Sequence, residues 1–206
     1  MAYSDFTLEM VRERFGVDLR EDDLFPALAP VEPNAWLQET LALRTPLMLQ
    51  SEKGRCESIV YPVLATARVL GGSRLAVYSG QTMNVDPAAG LAGECDFILG
   101  VGPALPPLRA PLLAVVEAKR ADIEDGMGQC VAQMIGARRF NDNAGRTASP
   151  VFGCVTTGEA WQFLKLEPDA AVQHPRRLFL NELPLILGAL LAIQAAALGP
   201  LPAARP

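Results

Sequence analysis

The stretch "PLLAVVEAKR" (111–120) begins as an apolar strand and ends in two opposite charges. Because residues i and i+2 of a β-strand lie on the same face, Glu117 and Lys119 are expected side by side at the end of a buried strand, with Ala118 on the other face. Burying charge is costly unless the charges are paired or bind a metal ion. These residues alone therefore leave two interpretations open, a strand-end ion pair or part of a polar site.

The segment "GECDFILG" (93–100) supplies a second carboxylate at a comparable place, because Asp96 enters the apolar strand that starts at Phe97. In isolation, a strand-start cap or a surface ion pair would explain it. If the two strands are neighbours, Asp96 lies across from Glu117, with Lys119 beyond it. Two such carboxylates repel each other unless a cation lies between them, and Mg²⁺ prefers oxygen ligands while keeping part of its hydration shell. The pair is therefore a candidate magnesium site.

The order of the apolar segments predicts the fold class. Helices are expected over 51–70, 122–140 and 183–199, and strands over 74–80, 94–100, 112–117, 150–158 and 160–167. Strands interleaved with helices in this way indicate an α/β protein, a three-layer sandwich in which helices flank a mixed central sheet. This domain would span 51–198, after a helical N-terminal extension over 1–50 and before a disordered tail over 199–206.

Composition restricts the class of protein. The 206 residues carry a formal net charge of −5, which argues against a protein that coats nucleic acid through bulk charge. The four cysteines lack CxxC pairs and zinc spacings, and with no signal peptide expected they indicate reduced thiols in a cytoplasmic protein. A single histidine argues against histidine triads and multi-histidine metal sites; this residue, His174, is interpreted as a surface residue.

The longest apolar run, "LPLILGALLAIQAAALG" (183–199), is interrupted by Pro184, Gly188 and Gln194. A membrane span needs about 18 uninterrupted apolar residues, so a buried helix is expected and no membrane is predicted. The helix is apolar nearly all round, which is typical of burial on more than one side. It is predicted to pack on the sheet and also to form a homodimer interface or to cover the N-terminal region.

The pattern Asp96…Glu117-Ala118-Lys119 resembles the motif of the PD-(D/E)xK phosphodiesterase superfamily, with Cys95 in place of the proline. The likeness extends to "SEKGRCESIVYPVL", "VVEAKRADIEDGMGQCVAQM" and "VFGCVTTGEAWQFLKLE", and covers roughly 50–195. These stretches are similar to a group of small prokaryotic proteins and to the nuclease module of type I restriction motor subunits. The resemblance implies a restriction-endonuclease-like fold and a metal-dependent endonuclease that hydrolyses DNA, or less readily RNA.

The resemblance also implies roles for individual residues. Asp96, Glu117 and the Ala118 carbonyl would hold Mg²⁺ or Mn²⁺, and Lys119 would orient and activate the attacking water. In-line attack on phosphorus would leave a 5′-phosphate. A second class of function stays open, a catalytically inactive nuclease-fold protein with a binding or regulatory role. The acidic net charge favours this alternative, whereas the intact Asp–Glu–Lys set favours the enzyme.

A glutamate on the first helix often completes the site in the superfamily, and Glu52 and Glu57 are the two candidates. At about 100° per residue, Glu57 falls near Leu64 and borders the apolar stripe of the helix, so it is expected half-buried and facing the sheet. Glu52 lies in the first turn, where an acid simply suits the helix dipole. Glu57 is therefore predicted to be a catalytic residue and a ligand of a second ion or an outer-shell water.

The helix after Lys119 carries Gln129 and Gln133 on one face, since residues four apart are neighbours on a helix. The resemblance implies that they contact the site or a nucleic-acid backbone, and Gln129 is included among the catalytic residues. Gln133 stands where some relatives have a tyrosine. Gly126 and Gly128 each cost about 1 kcal/mol relative to alanine, which close approach to the sheet or to a phosphate would explain; a loose helix start is the alternative.

Overall fold

Eight strands and six helices make up the part of the chain that the computed structural model describes, residues 1–44, 50–103, 107–146 and 150–199. The strands are β1 (Asp18–Glu21), β2 (Leu75–Thr82), β3 (Glu94–Val101), β4 (Leu112–Ala118), β5 (Val151–Thr156), β6 (Ala160–Leu166), β7 (Ala170–Gln173) and β8 (Leu178–Phe179). The helices are α1 (Leu8–Phe15), α2 (Ala35–Ala42), α3 (Glu52–Arg55), α4 (Tyr61–Leu70), α5 (Glu124–Asn143) and α6 (Leu183–Leu198).

The strands form one mixed sheet in the order β1-β7-β6-β5-β4-β3-β2, with β8 also paired to β6. β1 is parallel to β7, and β4 is parallel to β5. The other pairs are antiparallel. A parallel pair needs a long crossover connection, and α5 supplies it between β4 and β5. The predicted α/β sandwich with a mixed central sheet flanked by helices is confirmed.

The two faces of β4 explain why its sequence is an unbroken apolar run. Val115 belongs to the core on the side of α5, whereas Ala114 and Val116 belong to the core on the side of α4 and α6. A strand that is covered on both faces is apolar at successive positions, because neither face is in contact with water. Glu117 lies two residues after Val115, and so it stands on the face that α5 covers.

The N-terminal segment is part of both the sheet and the core. β1 adds an edge strand beside β7, a strand that the helical extension predicted for residues 1–50 does not include. Tyr3, Phe6 and Val11 are buried in the same core as the apolar side chains of α5. The sequence predicts a tail over 199–206, of which residues 200–206 lie outside the described residues.

The apolar helix α6 is covered on a second side by the chain itself. It packs against β4 and α4, and the N–H of Val31 donates to the Pro184 carbonyl at 2.8 Å. A Cβ on Gly188 would lie 2.1 Å from the Ala29 carbonyl oxygen, so the connector between β1 and α2, residues 22–34, crosses the helix in close contact. Leu180–Leu198 is also long and apolar enough to cross a membrane, a property that core helices share. Its second face is therefore covered by the N-terminal region, the second of the two partners predicted for it.

His174 is buried, at 7% exposed, so its interpretation as a surface residue is wrong. Its Nδ1 accepts a hydrogen bond from the N–H of Leu24 at 3.4 Å, and its ring packs on Phe25 with centroids 5.3 Å apart. Asp23 lies 3.5 Å from the same nitrogen. The ring thus holds the start of the connector against the sheet.

Acidification is expected to weaken this contact. Burial lowers the pKa of His174 below 6.5, Asp23 opposes the shift, and Arg176 adds to it. A lowered pKa in the folded state means that the neutral ring stabilises the fold above pH 6.5, and that this contribution is lost as the pH falls through the folded pKa. The His174→Asn variant keeps an acceptor for Leu24. Its free energy of unfolding should be about 1 kcal/mol lower than that of wild type at pH 7. The difference between the two proteins should be smaller at pH 5. Melting curves that stay equally far apart at both pH values would contradict the assignment.

Candidate active site

The predicted site forms where β3 and β4 part. Their register runs to Phe97 opposite Val116. One position further on, Oδ2 of Asp96 accepts a hydrogen bond from the N–H of Ala118 at 2.8 Å. The carboxylate of one strand thus binds the backbone of the next, which brings Asp96 to the end of β4 beside Glu117.

Glu117 is the centre of a network of side chains at this strand end. It is 2% exposed, and its Oε1 accepts a hydrogen bond from Nζ of Lys119 at 2.8 Å. Its Oε2 accepts from Nε2 of Gln133 at 2.8 Å. Nζ of Lys119 also donates to Oε1 of Gln129 at 3.0 Å. The structure therefore brings together Asp96, Glu117, Lys119 and Gln129, and it adds Gln133, the residue in the tyrosine position.

The carboxylates are held close together in surroundings that disfavour their charge. Burial, and then the nearby charge of Asp96, raise the pKa of Glu117 to about 7. Burial also raises the pKa of Asp96, against the hydrogen bond from Ala118. For Lys119, burial alone would lower the pKa, but the charge and hydrogen bond of Glu117 outweigh it, so the pKa is raised. The amine is therefore a cation at neutral pH.

Glu57 does not lie where the helical count put it. Its side chain is 64% exposed, with the Lys53 amine 3.9 Å away, so the expected half-buried position facing the sheet is wrong. Residues Cys56–Val60 form a π-helix between α3 and α4, and the N–H of Tyr61 bonds to the carbonyl of Cys56. Pro62 follows and cannot donate to the carbonyl four residues earlier. The wider turn changes the angle per residue, and a count at the α-helical value fails across it.

Glu52 and Glu94, two acids that the sequence did not lead us to select, border the site. A cavity of about 350 Å³ is lined by Glu52, Glu57, Glu94 and Asp96, among others. Glu52 contributes to the raised pKa values of both Asp96 and Lys119. Because Glu52 lies in the first turn of α3, where an acid suits the helix dipole, the sequence provided no separate reason to place it near the site.

Gly126 explains how α5 can begin so close to the strand end. A Cβ there would lie 2.7 Å from Cγ1 of Val155 and 3.0 Å from Cγ of Lys119. Contacts that short require a neighbour to move, so the absence of a side chain lets the helix backbone approach Lys119. Of the two explanations left open for this glycine, close approach to the sheet is the one observed.

The donor set fits a partly hydrated divalent cation. An ionised carboxylate has about four lone-pair sites, and Asp96 and Glu117 each use only part of that capacity in their hydrogen bonds. No group of three His, Cys, Asp or Glu side chains that could hold a metal ion occurs in residues 1–44, 50–103, 107–146 and 150–199. Mg²⁺ is commonly bound by one or two carboxylates, with waters and substrate phosphates completing its shell. Asp96 and Glu117, with the Ala118 carbonyl, match that requirement.

Comparison with known proteins gives a distant structural likeness. No family model matches the chain, and no curated protein matches it. Among solved structures, the type IIG restriction endonuclease BpuSI is similar, with 18% sequence identity and a TM-score of 0.41. The match covers 69% of this chain and 16% of that chain, so the protein spans only a small part of that endonuclease. Values this low do not establish a shared family.

Proposed function

We propose that the protein is a metal-dependent endonuclease that hydrolyses phosphodiester bonds of DNA. The observation that supports this most directly is the assembly of Asp96, Glu117 and Lys119 at the end of β4, with Glu117 almost fully buried. A simple surface ion pair has no need of a second, partly buried carboxylate beside it. Like charges in such a place destabilise the fold unless a cation is bound, and a functional demand would maintain them.

Asp96, Glu117 and the Ala118 carbonyl are the proposed ligands of Mg²⁺ or Mn²⁺. Such an ion, when bound, would polarise a phosphoryl oxygen and neutralise charge that develops during attack on phosphorus. The two carboxylates are positioned before any substrate arrives, because Asp96 is fixed by Ala118 and Glu117 by Gln133. Glu57 and Glu52 remain candidates for contacting a second ion or its waters from the wall of the acidic cavity.

Lys119 is proposed to act as a cation that holds the attacking water and the phosphate. An ammonium group has three N–H donors, and in the described residues Glu117 and Gln129 accept two of them. The third can donate to a water oxygen or a phosphoryl oxygen. Since its pKa is raised, Lys119 places positive charge beside the reacting phosphate and does not itself take up the proton of the water. Gln129 positions the amine.

A non-catalytic binding protein of the same fold is the second candidate. The exposure of Glu57 favours it, because the third carboxylate expected for the site is not packed against the other two. The homodimer predicted through α6 would suit either candidate, although the connector already occupies one face of that helix. The two candidates differ in whether bound DNA is cleaved.

Nicking of supercoiled plasmid in millimolar Mn²⁺ tests the proposal. We expect wild type to nick and Lys119→Ala to lose at least about a hundredfold in rate, the typical cost of one charge-stabilising donor. Lys165→Ala is the matched control, because Lys165 also pairs with a glutamate two residues further on at a strand end, Glu167 at 3.4 Å, but outside the site. It should nick at the wild-type rate. Binding without nicking by wild type would support the non-catalytic candidate, whereas equal nicking by both variants would overturn the role proposed for Lys119.

A further inference from the structure

A second groove lies beside the candidate active site, at the carboxyl ends of β4 and β5. It has a volume of about 740 Å³, and Arg55, Arg120, Thr157 and Glu159 are among its lining residues. Arg120 directly follows Lys119, and Thr157 directly follows the last residue of β5. The two strands are parallel neighbours joined by α5, and ligands of α/β sheets bind in the crevice outside the carboxyl ends of such strands.

Arg55 and Arg120 have guanidinium N–H groups that can donate hydrogen bonds to a ligand in this groove. Nη1 of Arg55 donates to the carbonyl of Thr157 at 2.9 Å, which fixes the guanidinium along the wall. A guanidinium has five N–H donors, and this bond uses one of them. Arg120 is exposed and forms none of the ion pairs found among the described residues. Guanidinium groups with free donors suit phosphate, which they can bind through two parallel hydrogen bonds.

The charges on the two sides of the site differ in sign. The groove has two arginines against Glu159 among its described lining residues, a net charge of +1. The cavity lined by Glu52 and Asp96 has four carboxylates against Lys53 among its described lining residues, a net charge of −3. A polyanion is therefore repelled from the cavity and attracted to the groove.

We propose that the sugar–phosphate backbone of the nucleic acid reaches Lys119 through this groove, and that Arg55 and Arg120 bind a phosphate next to the one that reacts. The inference rests on the proposed function, since it assigns the path of the same substrate. It also gives the acidic protein a local basic surface for a polyanion, which its net charge of −5 does not provide. The contacts go to phosphate, so they position the strand without reading its bases.

Binding measured without cleavage tests the groove by itself. The probe is a fluorescein-labelled 20-base-pair DNA duplex of arbitrary sequence, titrated in EDTA at several salt concentrations with anisotropy as the readout. Arg120→Ala should raise Kd about five- to tenfold, and it should lower the slope of log K against log salt by about 1. Arg55→Lys, which keeps the charge but not the planar donor fork, should raise Kd less and leave the slope unchanged. Arg20→Ala is the control, because Arg20 is exposed on β1 and paired with Asp169.

The outcomes separate this inference from the proposed function. If Arg120→Ala binds with the wild-type Kd and salt slope, or if wild type does not bind the duplex at all, the groove does not take the strand. If the Arg120 effect is found but wild type leaves plasmid intact in Mn²⁺, the groove assignment stands and the nuclease proposal fails. An equal effect of Arg20→Ala would reduce the result to bulk charge and overturn the assignment.

Discussion

The Asp96→Asn variant is expected to lose about a thousandfold or more of the Mn²⁺-dependent nicking rate while melting no lower than wild type in EDTA. Asparagine keeps a side-chain oxygen that can accept the N–H of Ala118, so the junction between β3 and β4 is retained. It removes the negative charge that, after burial, contributes most to the raised pKa of Glu117. Activity and stability should therefore change in opposite directions, which simple damage to the fold cannot produce.

Thermal melting with and without Mn²⁺ gives a readout that does not depend on turnover. An ion that binds only the native state at ten times its Kd stabilises wild type by about 1.4 kcal/mol, or about 3–5 °C for a chain of this length. Asp96→Asn should show little of this shift. Asp18→Asn, a change of the same chemistry on the exposed edge strand β1, should show all of it. A full shift in Asp96→Asn would mean that Asp96 is no ligand, and would restore the ion-pair interpretation of Glu117 and Lys119.

The part of the site that could be predicted from the sequence depends on short-range geometry. Glu117 and Lys119 share a face because strands repeat every two residues, and the two side chains are hydrogen-bonded. The contact of Gln129 with Lys119 was implied by the family resemblance, not by spacing. The prediction that Asp96 lies across from Glu117 required only that two consecutive strands be neighbours. None of these steps needed knowledge of distant parts of the chain, and the structure places all four residues together.

The position of Glu57 could not be predicted from the regular spacing of residues in an α-helix. Its predicted angle assumed an unbroken α-helix from residue 51 to 70, but a π-helix occupies Cys56–Val60. The sequence contained a signal, because Pro62 lies inside the segment and must disturb the hydrogen bonds of the preceding turn. Which form the disturbance takes, a kink or a wider turn, depends on packing that the sequence does not display.

The sheet edge at β1 and β7 was missed for a different reason. β1 is exposed at all four positions and has no alternation of apolar and polar residues, so no periodic signal was available. Its partner, β7, lies about 150 residues further along the chain, with Asp18 opposite Ala170. Pairing over such a separation is decided by tertiary packing, here by the way the N-terminal segment lies on α5.

The Gly128→Ala variant should reveal how much the fold depends on that packing. A Cβ at position 128 would lie 2.3 Å from the carbonyl oxygen of Phe6 and 2.6 Å from the Cα of Thr7. Both are backbone atoms, so no side chain can rotate away to make room. At Gly136, two turns further along α5, a Cβ would lie 2.3 Å from the hydroxyl of the buried Tyr3. Gly128 is therefore explained by close backbone approach to the N-terminal segment, and not to the sheet or a phosphate as expected.

Alanine at 128 favours the helix by about 1 kcal/mol over glycine, yet the clash should outweigh that gain. Overpacking costs 1–3 kcal/mol where side chains can adjust, and backbone atoms adjust less. We expect a net loss of about 3 kcal/mol, or about 6–12 °C in Tm for a chain of this length. Asp142→Ala places the same residue on the exposed end of α5 and should change Tm by little, because an acid near a helix C-terminus is not stabilising. If Gly128→Ala melts at or above wild type, the N-terminal segment does not rest on α5, and the core described for Tyr3 and Phe6 would need to be revised.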